Sequence, residues 1–102
     1  MFTSKRYATR GVTMGVGLDM QLMLWSMIDK RKETGIGVDY LQVFELSINS
    51  KDGISVQKVI HKQECPPTSE IYFLPMIETP IKMTIWAIDS GEYCTMLLPD
   101  EY

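Results

Sequence analysis

The sequence predicts an α+β fold, with one main helix over about residues 18–32 packed on a mostly antiparallel sheet of about five strands. Three observations lead there. The run from Leu18 to Lys32 carries Asp19 at its start and Lys30, Arg31 and Lys32 at its end, the order of charge a helix dipole favours. Two alternating segments, Leu41 to Ser50 and Ile54 to Glu64, flank Asp52-Gly53, a strong hairpin signal. The strand-like segments bunch together after that helix instead of alternating with others. The 102 residues, 45% hydrophobic and 23% charged, suit one cooperative core, so one domain spans residues 1–102.

In chain order, Lys5 to Val12 reads as a first strand. Gly11 to Gly17 holds three glycines and reads as a turn into the helix. Gly35 suits the left-handed position just past the helix end. On the strand from Leu41, Phe44, Leu46 and Ile48 alternate onto one face. The strand from Ile54 ends at Pro66 and Pro67, which have no N–H for a ladder. Ile71 to Leu74 reads as a short edge strand, and Pro75 and Pro80 bracket a loop. Ile81 to Asp89 is a strand, turned by Asp89, Ser90 and Gly91, and Tyr93 to Leu98 returns antiparallel to it.

The helix is richer in apolar residues than one sheet requires. Leu18, Leu22, Trp25 and Ile28 form one stripe, while Met20, Met23 and Met27 form a second, nearly opposite. Cover from Tyr40 or from the Pro66–Pro80 loop would account for the methionines. Left uncovered, they make a partner surface, since methionine adapts to varied shapes, and a homodimer is its simplest form.

The net charge is −3, which argues against a general nucleic-acid coat protein. The charge is unevenly divided. Residues 1–35 hold Lys5, Arg6, Arg10, Lys30, Arg31 and Lys32 against Asp19, Asp29 and Glu33, and the remainder is acidic. On an extended strand Arg6 and Arg10 would share a face about 13 Å apart, suited to a nucleic-acid backbone or an acidic partner. The polar run His61, Lys62, Gln63 and Glu64 beside the double proline reads as a strand end, either solvated or acting as a recognition patch.

Reactive chemistry finds little support. A zinc site would have to gather His61, Cys65, Cys94 and a carboxylate without any paired-ligand spacing. His61 and Cys65 lie about 13 Å apart on a straight strand, although Cys94 could meet His61 across the sheet. Gly15 and Gly17 lack the third glycine of a dinucleotide fingerprint. Neither a cofactor nor a metal is expected. No secretory signal pattern opens the chain, and no apolar stretch is longer than the four residues Leu22 to Trp25, far short of a membrane span, so a cytoplasmic setting with no membrane partner is expected. Cys65 and Cys94 fit a reducing compartment, and their pairing stays open.

Four segments are distinctive: Lys5-Arg6-Tyr7-Ala8-Thr9-Arg10-Gly11, Asp39-Tyr40-Leu41-Gln42-Val43-Phe44-Glu45-Leu46, His61-Lys62-Gln63-Glu64-Cys65-Pro66-Pro67 and Thr95-Met96-Leu97-Leu98-Pro99-Asp100-Glu101-Tyr102. Together they resemble a family of short proteins from Gram-positive bacteria, some encoded on phages and mobile elements, catalogued as a domain of unknown function. The resemblance spans nearly the whole chain and brings no catalytic residues. It implies a setting in which small proteins act by binding host machinery. The expected function is a non-enzymatic protein-binding or adaptor module, in which Arg6, Arg10, Met20, Met23, Met27, His61, Gln63 and Glu64 contact a protein partner or a second copy. Two alternatives stand beside it. One is local nucleic-acid binding through the basic first third. The other is a small ligand-binding domain or enzyme with a pocket between helix and sheet, drawing on His61, Glu64, Cys94 and Asp89.

Overall fold

The computed structural model describes residues 1–102. Strand β1 (Arg6–Ala8) is followed by two helices, α1 (Arg10–Gly15) and α2 (Leu18–Glu33). Then come β2 (Leu41–Lys51), β3 (Ile54–Glu64), β4 (Pro67–Leu74), β5 (Met83–Asp89) and β6 (Cys94–Leu97), closed by a 3-10 turn at Pro99–Glu101. The six strands form one sheet in the order β1-β6-β5-β2-β3-β4. Every neighbouring pair is antiparallel except β1 and β6, which run parallel. The helices lie on one face of this sheet. No helix is long and apolar enough to cross a membrane.

The β2–β3 hairpin follows the expected register. Asp52 and Gly53 take φ of 55° and 78°, the two left-handed positions of the turn that matches sheet twist. Gly35 at φ 79° ends α2, where the Thr34 hydroxyl also donates to the Arg31 carbonyl.

The first predicted strand is cut short. Thr9 turns the chain into α1, its hydroxyl accepting from the Val12 N–H at 3.4 Å. Arg10 therefore begins a helix, and it shares no strand face with Arg6. The glycine-rich run is helical through Gly15 and breaks only at Val16 and Gly17. The predicted edge strand, in contrast, is longer than expected and starts at Pro67, directly after a Cys65-Pro66 turn. Strand β5 begins at Met83 because Ile81 is paired otherwise: the Gln57 side chain accepts from its N–H at 2.8 Å and donates to its carbonyl at 3.0 Å.

The core lies between α2 and the sheet. Met20, Leu24, Met27, Ile28 and Arg31 are all buried, at spacings of one helical face. They meet Phe44 and Leu46 of β2, Val59 of β3, Ile85 and Ala87 of β5, and Cys94 and Met96 of β6. Near the chain start, Phe2 is buried with its N–H donating to Asp89 at 2.6 Å and its ring 6.4 Å from Trp25. The methionine stripe is thus the inner face of α2. Met20 and Met27 are core residues and Met23 is half-buried, because the sheet covers the side that a helical wheel leaves ambiguous.

Candidate interaction site

Two polar arrangements surround the sequence-predicted site residues. The first is buried beneath the last turns of α2. Arg31, with its side chain fully buried, donates through Nε and Nη2 to Glu70 at 3.1 and 2.8 Å. It also donates to Gln42 Oε1 at 2.9 Å and to the His61 carbonyl at 3.0 Å. Gln63 accepts from Gln42 at 2.8 Å and donates to the Gly37 and Pro66 carbonyls at 2.7 and 3.0 Å. The His61 ring stacks on Phe44, its opposite neighbour in the β2–β3 ladder, with centroids 4.6 Å apart. Its Nε2–H donates to Gln42 Oε1 at 2.6 Å, while Nδ1 is buried without a partner. Burial, and then the Arg31 charge, push the His61 pKa down to about 3, so the ring is neutral.

This network corrects the recognition patch drawn from the sequence. His61 and Gln63 point under α2 because odd-numbered β3 residues face the helix, and only Glu64 of that group is exposed. Nothing in the linear run marks this. Arg31 read as a dipole-pairing surface cation, whereas its spacing from Met20, Leu24 and Met27 already put it on their face. His61 and Cys94 stand on β3 and β6, three inter-strand steps or about 14 Å apart, beyond nucleophile–base contact. Both cysteines are free, and no three His, Cys, Asp or Glu side chains gather as a metal site.

The second arrangement is a groove of about 430 Å³ between β1 and α2. Arg6, Tyr7 and Ala8 form one wall, and Leu18, Gln21, Leu22, Trp25, Ser26 and Asp29 form the other. Arg6 pins the two walls together. Its guanidinium chelates Asp29, donates to the Phe2 carbonyl at 3.1 Å and lies 5.0 Å above the Trp25 ring. The hydrogen bond between them raises the Arg6 pKa and lowers that of Asp29. Arg10 lies outside this groove, exposed on α1, with Nε donating to Met14 Sδ at 3.4 Å.

The polar groups of the groove are already engaged. Gln21 donates to the Val16 carbonyl at 2.7 Å and Ser26 to the Met23 carbonyl at 2.6 Å. What remains open is apolar, with Leu18 and Leu22 exposed at 68% and 60%. Beyond the groove mouth, Tyr7 and Tyr93 pack edge to face at 5.8 Å. The strand wall adds backbone groups. The Lys5 carbonyl and Thr9 N–H bond to β6, so alternation turns the amides and carbonyls of Arg6 and Ala8 toward the open side. A further cleft of about 410 Å³ opens between the start of α2 and the Pro75–Pro80 loop, but its apolar lining includes core residues Met20 and Ile77.

Residues 5–101 match a family described as "Staphylococcal protein of unknown function (DUF960)". The chain belongs to the DUF960 family. This agrees with the Gram-positive family that the sequence resembles, and the match covers the same nearly complete span. The chain is also similar to a protein of unknown function from Enterococcus faecalis known from its crystal structure. The two share 26% identity and superpose with a TM-score of 0.76, over 97% of this DUF960 chain and 91% of that one. No curated protein matches the chain.

Proposed function

We propose that this DUF960 chain is a non-enzymatic, cytoplasmic protein-binding module that takes an extended apolar segment of a partner protein into the β1–α2 groove. One observation carries the reading: an exposed Leu18–Leu22 wall faces a strand edge whose Arg6 and Ala8 backbone groups have no partner. An added strand would satisfy those groups, and its alternate side chains would rest on the leucines, the usual division between main-chain affinity and side-chain specificity. The engaged polar side chains of the walls disfavour a charged ligand, since no side-chain group there is left to pair with its charge. A phage or mobile-element origin, which the family resemblance implies, fits a small protein whose work is binding.

Selection from a displayed random-peptide library tests this. The expected peptides carry apolar residues at alternate positions and shift the amide resonances of residues 6–8 and 18–25. Leu22→Asp, at an exposed site, removes their binding without lowering the melting temperature. Binders whose shifts map elsewhere, or that ignore Leu22→Asp, would sink the proposal.

A further inference from the structure

Strand β4 ends the sheet on the side opposite β1 and pairs only with β3. Its eight residues carry a single charge, Glu70, which Arg31 holds inward. Natural sheets blunt such edges with lysines, bulges, short strands or a covering element. Here the edge has only Pro67 at its start, and Ile71 and Phe73 stand 58% and 53% exposed on the face away from α2.

The ladder phase fixes which backbone groups are open. The Asp52-Gly53 turn makes Lys51 and Ile54 a hydrogen-bonded pair, and the Asp89 N–H to Tyr40 carbonyl bond gives β2 the same phase from its other side. Even-numbered β3 residues therefore bond to β2, and odd-numbered ones to even-numbered residues of β4. The N–H and C=O groups of Ser69, Ile71 and Phe73 point off the sheet.

We propose that β4 pairs with the β4 of a second copy of this chain, antiparallel about a two-fold axis at Ile71, joining the two sheets into one. The register argues for a second copy over a foreign strand. Centred on Ile71, it sets Ile71 against the partner's Ile71 and Ser69 against the partner's Phe73, so every open backbone group of these residues gains a partner. Glu70 then faces the partner's Tyr72 instead of the partner's Glu70, and each Glu70 keeps its own Arg31. Ile71, Phe73 and their counterparts form a continuous apolar strip on the outer face. This contact uses the far edge of the sheet from the β1–α2 groove and stands or falls independently of it.

Light scattering on the full chain after size exclusion, over a range of loading concentrations, tests the pairing. The wild type is expected to reach twice the single-chain mass. Ile71→Pro removes an outward N–H while leaving the β3 ladder intact, and should return the mass to one chain. Phe73→Lys, which keeps every backbone group, should do the same while circular dichroism stays unchanged. Leu22→Asp should leave the doubled mass as it was. A wild type that stays at single-chain mass at every concentration, or a doubled mass that survives both β4 substitutions, would overturn the proposal.

Discussion

At the scale of single residues, the decisive feature is how completely the polar side chains under α2 are used. Arg31 alone reaches Glu70, Gln42 and the His61 carbonyl, so the helix end is tied to three strands by one guanidinium. Removing one partner from such a buried set leaves the others unpaired, which is costlier than replacing the whole set. His61 gives this a pH signature. Its folded pKa of about 3 lies below the ordinary 6.5, so the unfolded chain binds the proton first. Its contribution is complete above pH 6.5 and is lost as pH falls toward 3. Asp29, Asp89 and Glu101 are also shifted down, by the Arg6 hydrogen bond, the Phe2 N–H and the Thr9 hydroxyl, but their losses belong to the lower carboxylate range. Urea titrations between pH 7 and 5.5 should show stability falling with a slope approaching about 1.4 kcal/mol per pH unit. His61→Phe, which keeps the stack on Phe44, should flatten that slope. An unchanged slope would mean the ring is not the titrating group.

At the scale of elements, legibility followed the range of the contacts that make each one. The β2–β3 hairpin could be read because its turn chemistry sits in two adjacent residues, Asp52 and Gly53. The span of α2 could be read from its charged poles, but not which side faces in, because the inner face mixes methionines with Arg31. Helix α1 was hidden because its support is remote. The Glu101 carboxylate accepts from the Thr9 hydroxyl at 2.5 Å, the Gly11 N–H at 3.0 Å and the Leu98 N–H at 2.8 Å. A Cβ on Gly11 would meet that carboxylate at 2.7 Å and push it off all three. Gly11→Ala and Glu101→Ala should therefore each lower the melting temperature. Their double mutant should fall no further than the worse single, since both remove one clamp. Full additivity in thermal unfolding would contradict this coupling.

For the whole molecule, what matters is a six-stranded sheet covered by helices on one face, with two unlike edges. The short β1 edge borders a groove, and the long β4 edge stands open. The β4 edge was legible in part, as the edge strand Ile71 to Leu74, but the groove was not, because a groove wall drawn from residues 6–8 and 18–29 exists only once Arg6 has closed on Asp29. The stripe with Leu18 and Leu22 was visible in the sequence, but only for the methionines did the pattern raise a choice between cover by neighbouring residues and a partner surface, and it is the leucines that stand exposed. Under the proposed function the exposed leucine wall is where a partner protein binds. A photo-activatable residue placed at position 22, with one at exposed Glu64 for comparison, probes that contact in the native cell. A discrete protein adduct is expected from position 22, lost on Leu18→Asp, and none from position 64. Equal adducts from both positions, or an adduct indifferent to Leu18→Asp, would contradict it.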